Sequence, residues 1–571
     1  MHLQKRDSLG KPAMSLYLYI HVIILISMNR LPLLFLLLFL SAYVSAQVIY
    51  NRQDSLRGAI TAERAWWDLN YYHLDIAVDP DSKTIEGENT IHYKVLKEEQ
   101  VMQIDLQAPL RIYKAVQYGE QLNIKQEGSV HFITLVAKQI PGDVHNIQIF
   151  YGGKPQEAMR PPWDGGITWK KDNNGLPFIA SSCQGIGASI WWPCKDHMYD
   201  EVDSMLISVT IPENLMNVSN GQLRSTEINK NGTKTYNWFV NNPINNYGVN
   251  MNIGDYVHYS ENFAGEKGNL KLDYYVLRYN LEKAKQQFME VPRMLKAFEH
   301  WFGPYPFYED GYKLVEAPYL GMEHQSSITY GNGFQNGYLG RDLSDTGWGL
   351  KFDFIIVHES GHEWFANNIT YIDMADMWIH ESFTNYAENL FVEYYFGKKA
   401  GSEYVLGTRK NIKNNYPIIA PYGVNASGSG DMYYKGGNML HSIRQIINDD
   451  AKWRSILRDM NQHFYHQTVT TAQIEDFISE KAGQNLKPIF DQYLRDYRMP
   501  VLEYLKKGKI LEYRWGNVID SFNMPVKVSV GGKENWLTPT TNWQTINLNS
   551  AKGIFKVAPS FYVGTLNISG N

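Results

Sequence analysis

Apolar and polar positions alternate along the first third of the chain. Leu74, Ile76 and Val78 are separated by polar or small residues before the turn Asp79-Pro80-Asp81-Ser82-Lys83, and Ile91, Tyr93 and Val95 repeat the pattern after it. A period of two is that of half-buried strands, so the region from about Trp66 to Tyr256 is predicted to be a β domain. Near Leu281 the period lengthens to that of a helix in LEKAKQQFMEVPRMLKAFEHWFG, which stops at Gly303-Pro304. Helical segments then run to about Tyr497, among them KFDFIIVHESGHEWFANN, ESFTNYAENLFVEYYFG and GGNMLHSIRQIIND, where Met439, Leu440, Ile443, Ile446 and Ile447 share one apolar face. After Pro500 the short runs KILEYRW, PVKVSV, QTINL and GIFKVA read as strands again. The expected architecture is multidomain α+β: an N-terminal β-sandwich-like domain over 47–258, a mainly helical domain over 259–498 and a small C-terminal β module over 499–571.

Residues 1–46 stand apart. Met28 and Arg30 precede the apolar run Leu31 to Leu40, and Val44-Ser45-Ala46 is a small-residue cleavage pattern, so a signal peptide cut after Ala46 is expected. A second apolar run upstream, LYLYIHVIILI, suggests that translation starts at Met28. An uncleaved anchor is the competing reading, but the core from Leu31 is short for a bilayer span. The protein is therefore expected to be exported, periplasmic or extracellular, with no stable membrane span after cleavage.

Composition narrows the class. With 571 residues, 44% of them hydrophobic, the chain can bury a sizeable core. A net charge of −5 with no clustered Lys and Arg makes a nucleic-acid partner improbable on electrostatic grounds. Cys183 and Cys194 are the only cysteines and could be bridged or separately buried. The acidic turn at Asp79 and Asp81 resembles a calcium loop but carries Thr84 where that loop needs glycine and Thr90 where it needs a bidentate glutamate, so it is rejected.

The candidate chemistry lies in His358-Glu359-Ser360-Gly361-His362. Histidines four apart on a helix project from one face and can reach one ion, with Glu359 beside it. The bland alternative is a core helix with packed histidines. A zinc site of the two-histidine, one-carboxylate type needs a third ligand, and Glu381 follows His362 after eighteen intervening residues, opening a helix that could return antiparallel to the first. Glu359 would then be a base that accepts a proton from water and passes it to a leaving amine. Glu388, two turns beyond Glu381, is either a partner that orients a ligand or an ordinary surface glutamate.

HESGHEWFANNIT followed by MWIHESFTNYAE resembles the aminopeptidase N family of zinc metallopeptidases, which includes the leukotriene hydrolases. WWPCKD at Trp191 to Asp196, FGPYPF at Phe302 to Phe307 and YYKGG at Tyr433 to Gly437 resemble further family motifs, so the likeness spans roughly Tyr72 to Pro500. The resemblance implies a thermolysin-like fold for the helical domain and one Zn2+ per chain on His358, His362 and Glu381. It assigns Glu359 as base and Tyr433 as the donor to the oxyanion. It makes Gly321, Met322 and Glu323 of LGMEH the segment that holds a peptide, with Glu323 on the free α-amino group, and gives Gln184 a place in the first substrate pocket. Leu320, His324, His380 and Ser382 depart from the family pattern, which puts substrate preference in question rather than hydrolysis. The resemblance thus implies a zinc aminopeptidase acting on peptides with a free N-terminus. A thermolysin-like endopeptidase, or a non-hydrolytic peptide-binding protein on the same fold, are the alternatives. Sequence implies nothing about oligomeric state.

Overall fold

The alternation at the start of the chain becomes a hairpin. In the computed structural model, which describes residues 50–548 and 552–568, Trp67–Asp79 and Thr84–Val95 pair antiparallel with Ile76 opposite Gly87 and Val78 opposite Ile85. Leu74, Ile76, Val78, Ile91, Tyr93 and Val95 all face the core. The first strand pairs on its other edge, in parallel, with Ser204–Pro212, which places the hairpin near the middle of an eight-stranded sheet. The expected signal segment lies outside the described residues.

A three-stranded sheet (Glu99–Asp105, Asn123–Glu127, Val130–Gln139) and a four-stranded one (Gly166–Lys171, Pro177–Ser182, Met216–Val218, Asn252–Gly254) share one apolar core with the large sheet. WWPCKD is the clasp of this region. Trp191 and Trp192 are buried, and Asp196 accepts from the backbone N–H of Ala188 (3.1 Å) and Ser189 (3.1 Å), fixing the loop that begins at Cys183-Gln184. Cys183 and Cys194 are buried and unbridged, and burial raises both thiols above their ordinary range.

The next part of the chain is not purely helical. Tyr256–Gly265, Gly268–Leu277, Tyr312–Glu316, Gly321–Met322 and Ile328–Tyr330 form a five-stranded sheet in which Gly321–Met322 is an edge strand, antiparallel to Thr329–Tyr330. Tyr312–Glu316 is buried at every position, so it lacks the alternation by which half-buried strands are read. Helices Glu290–Phe302, Phe354–Gly361, Trp378–Phe396, Tyr434–Ile447 and Asp450–His463 pack into one core with this sheet.

The helix bearing the histidines starts on Asp353, whose Oδ1 accepts from the N–H of Ile355 (3.1 Å) and Ile356 (3.3 Å). Tyr330 (2.8 Å), Asn332 (2.9 Å) and Gln287 (2.7 Å) donate to the same carboxylate. Asp353→Ala should therefore destabilise the protein by about 2 kcal/mol or more, read from the denaturant midpoint, because it removes a cap and the acceptor of the buried Tyr330 hydroxyl. An unchanged midpoint would show that the cap contributes nothing.

Beyond Pro500 the four strands read from the sequence are present. Val501–Lys507, Lys533–Leu537 and Gly564–Asn567 join them to make a four-stranded and a three-stranded sheet. This module is docked on the helices: Arg409 Nη1 donates to the carbonyl of Pro559 (2.7 Å), and Tyr493 Oη to that of Tyr562 (2.7 Å). Among the described residues no helix is long and apolar enough to cross a membrane.

Candidate metal centre and active-site cleft

Helix Phe354–Gly361 and helix Trp378–Phe396 bring His358, His362 and Glu381 together, one ligand atom of each lying within 4.8 Å of the others. Nε2 of His362 is 3.5 Å from Glu381 Oε2, and Nε2 of His358 is 4.0 Å from it. The far side of each imidazole is committed. His358 Nδ1 donates to Glu388 Oε1 (2.7 Å), and Glu388 accepts through its other oxygen from Tyr404 Oη (2.6 Å). His362 Nδ1 donates to the carbonyl of Phe365 (3.0 Å). Both rings are thereby oriented with Nε2 facing Glu381. In the metal-free site burial lowers His358, but the carboxylates around it, Glu388 first, outweigh that burial and raise it to about 9, so its Nε2 holds a proton that an ion would displace. Glu388 is fully buried, so it is the orienting partner and not a surface residue.

Glu381 Oε2 is buried and has no hydrogen-bond partner. A buried carboxylate oxygen with no hydrogen-bond donor, facing the Nε2 atoms of two imidazoles, is suited to a shared cation. Two neutral nitrogens and one carboxylate form the donor set of a catalytic zinc site, so these residues fit that ion. Glu359, on the same helix, lines the cleft and has no place among those three atoms.

The helix was expected to run through Asn368, yet it ends at Gly361 and a wider turn, Glu363–Asn367, follows with Phe365 out of helical geometry (φ −127°, ψ 76°). The departure has a purpose in the site. It turns the Phe365 carbonyl out of the helix ladder and onto His362.

Gly321 and Met322 bring Glu323 to the metal centre. A Cβ on residue 321 would lie 2.6 Å from Ile355 Cγ2 and 3.0 Å from Glu359 Oε1, so the absence of a side chain lets the strand pass close to Glu359. Gln184 reaches in from the N-terminal domain and donates to Glu323 Oε1 (2.6 Å) and Glu381 Oε1 (3.1 Å). Asn367 Nδ2 donates to the backbone carbonyl of Glu323 (2.9 Å) and fastens the strand to the turn after the histidines. Burial, together with the charges of Glu359 and Glu381, raises Glu323 well above the usual carboxylate range. The pocket calls for a positive partner.

Tyr433 precedes helix Tyr434–Ile447, its ring centroid 6.2 Å from that of His358. Burial, then the charge of Glu381, pushes its phenol well above the ordinary value, so it keeps its proton and can donate it. The glycine of YYKG has a steric cause: a Cβ on Gly436 would lie 1.9 Å from Ser382 Oγ, a hydroxyl bonded to the Met432 carbonyl (2.6 Å).

His358, His362, Glu381, Glu359, Glu323, Gln184 and Tyr433 line one cavity of about 350 Å³, the scale of a small-ligand site. Pro162 and Trp163 close it from the N-terminal domain, and Tyr338, Leu343, Phe354 and Tyr434 give it an apolar wall. Sequence reasoning named His358, Glu359, His362, Glu381, Glu323, Gly321, Met322, Gln184 and Tyr433, and the structure brings all nine to this cavity. It did not name Tyr247, Asn367, Tyr404 or Trp163. Tyr247, Tyr404 and Trp163 lie outside the motifs and only folding puts them near the centre, whereas Asn367 sits within HESGHEWFANNIT, where its role had no signal of its own.

Residues 69–247 match the peptidase M1 N-terminal domain and residues 287–493 the peptidase family M1 domain. The chain belongs to the M1 peptidase family. Among M1 relatives, probable aminopeptidase 1 of Sulfurisphaera tokodaii is 22% identical over 475 residues, covering 77% of this chain and 58% of that protein. Leukotriene A-4 hydrolase of Xenopus laevis is 22% identical over 441 residues, covering 72% of this chain and 68% of that protein. The chain thus spans between about half and two thirds of the length of these curated relatives. In fold it is similar to an M1 zinc metallopeptidase from Deinococcus radiodurans, with a TM-score of 0.65 at 20% identity, covering 76% of this chain and 95% of that one.

Proposed function

We propose that this M1 peptidase is a zinc-dependent aminopeptidase that removes residues from the free N-terminus of peptides. The observation that carries the reading is Glu323: a buried carboxylate, lacking a cationic side chain, held beside the His358, His362 and Glu381 centre. A substrate ammonium bound there would present its first peptide bond to the base. Support also comes from a similar solved structure, the Deinococcus radiodurans M1 zinc metallopeptidase with a Tyr-Ser-Ala substrate, at a TM-score of 0.63 and 20% identity.

Zinc held by His358, His362 and Glu381 would supply Lewis acidity and lower the pKa of water in the cleft. The chain's own residues do the rest. Glu323 fixes the α-ammonium, and the edge strand Gly321–Met322 offers backbone groups for pairing with an extended peptide. Glu359 takes the proton from the attacking water and returns it to the leaving amine. Tyr433 donates to the carbonyl oxygen as negative charge gathers on it.

Aminoacyl substrates and their N-acetylated forms, assayed with chelator and with zinc restored, test the proposal. Cleavage of the free-amino forms alone, lost on chelation and regained with zinc, is expected. Equal cleavage of the acetylated forms would replace it with an endopeptidase.

The base predicts the acid limb of the rate profile. Burial raises Glu359, His358 pulls it back, and Glu381 and Glu388 raise it further, to about 7 from an ordinary 4.5. Only the carboxylate form accepts a proton, so kcat/KM should fall as pH drops through this window, with a midpoint between the two values once cations enter the site. A flat profile down to the ordinary carboxylate value would remove Glu359 from the role of base.

Export is part of the proposal, supported by the apolar run Leu31 to Leu40 and the Val44-Ser45-Ala46 pattern. N-terminal sequencing of the mature protein should start at Gln47. A retained leader would overturn it.

A further inference from the structure

The anchoring carboxylate is held by groups that the metal centre itself does not need. Tyr247, in the turn Asn246–Gly248 of the N-terminal domain, donates its hydroxyl to Glu323 Oε1 at 3.2 Å, the oxygen that also receives Gln184 Nε2 at 2.6 Å. Behind Tyr247 lies His380, fully buried, its ring stacked on Tyr371 with centroids 4.1 Å apart. His380 Nε2 accepts the backbone N–H of Tyr371 at 3.0 Å. A nitrogen that accepts from an amide carries no proton, so the ring is neutral with its one hydrogen on Nδ1, 3.5 Å from Tyr247 Oη.

This fixes the direction of every hydrogen bond in the chain. Tyr371 gives its N–H to His380, His380 gives Nδ1–H to the Tyr247 oxygen, and the Tyr247 proton is left for Glu323. Residue 380 is also one of the positions at which the sequence departs from the family pattern. Its imidazole spans the distance from a backbone amide on one side to a tyrosine from the other domain.

We propose that Tyr247 and His380 are positioning residues for the amino-anchoring carboxylate. Tyr247, itself held by His380, and Gln184 saturate Oε1 of Glu323 and leave Oε2 for the substrate ammonium. The need is electrostatic: Glu359 and Glu381 crowd Glu323 with like charge, and a carboxylate free to rotate would turn away from them and from the place where the ammonium must sit. Both donors to Glu323 Oε1, Gln184 and Tyr247, come from the N-terminal domain, so selectivity for a free amino group is set by how the two domains meet. The inference rests on the aminopeptidase reading.

The test uses the full zinc-loaded enzyme, Tyr247→Phe, and two hydroxamate inhibitors that differ only in an amino group: leucine hydroxamate and 4-methylpentanohydroxamate. Wild type should prefer the amino form. In Tyr247→Phe that preference should shrink by about tenfold, the scale of one hydrogen bond to a charged group, with the Ki of the desamino form unchanged. KM for leucyl amide should rise by a similar factor while kcat stays within about threefold. His380→Leu, which fills the space but removes Nδ1–H, should shift the preference in the same direction by less. Zinc content and thermal midpoint report on folding, and Tyr247→Phe removes one oxygen without changing shape.

An undiminished preference in Tyr247→Phe, or an equal rise in both Ki values, overturns the inference while the aminopeptidase reading stands. A wild type that does not distinguish the two hydroxamates removes the anchor itself, and both readings with it.

Discussion

Glu359→Gln binds one zinc ion per chain as wild type does and turns over free-amino substrates about 10³-fold more slowly. The expectation follows from position. Glu359 lies on the helix that carries both histidines, but the triad that holds the ion closes without it. The amide fills the same space, so the strand Gly321–Met322, which passes against Glu359, need not move. What the substitution removes is proton acceptance, a contribution of about 10²- to 10⁴-fold in well-placed general bases. Metal analysis of the purified variant beside its kcat separates the two roles. Loss of zinc would make Glu359 part of the metal centre. Near-normal turnover with zinc present would require another base, and Glu323 is the nearest carboxylate of the cleft not assigned to the ion.

Glu381→Ala abolishes activity and also the gain in thermal stability that zinc confers. In the metal-free protein Glu381 Oε2 is a buried acceptor with no donor, an arrangement that opposes folding. Burial raises this carboxyl above its ordinary range despite the pull of His358, so ionising it in the empty cleft is unfavourable. Removing the side chain therefore leaves the metal-free midpoint level with wild type or above it. Wild type should gain stability with zinc by linkage, about 4 kcal/mol when the free ion exceeds Kd a thousandfold, and the variant should gain none. Thermal scans of both proteins with chelator and with zinc measure this directly. A zinc-dependent rise retained in Glu381→Ala would mean that the ion is held elsewhere.

These outcomes bear on why some residues of the site could be read in advance. The helical pair His358 and His362, the carboxylate Glu381 and the partner Glu388 sit in elements whose periodicity fixes which face each side chain takes. A local rule sufficed for the two histidines and Glu381, while Glu388 stayed open between partner and surface glutamate until its burial decided it. Strands that alternate, such as Trp67–Asp79, were legible for the same reason. Tyr312–Glu316, buried on both faces, and Gly321–Met322, two residues long, gave no period to detect. Lys533–Leu537 and Gly564–Asn567 are short and largely exposed, so burial hardly patterns them.

The sequence by itself determined the chemistry of the centre: which residues can ligate, which can take a proton, and that they recur every helical turn. Tertiary structure alone decided how the anchor is held. Gln184 and Tyr247 reach Glu323 from 139 and 76 residues away along the chain, and His380 backs Tyr247 from a third segment. No periodicity links such positions, because their meeting depends on how the N-terminal β domain docks on the helices. The end of the helix at Gly361 was likewise decided by the fold, where an inward-turned Phe365 carbonyl and the imidazole of His362 satisfy each other better than one more helical turn would.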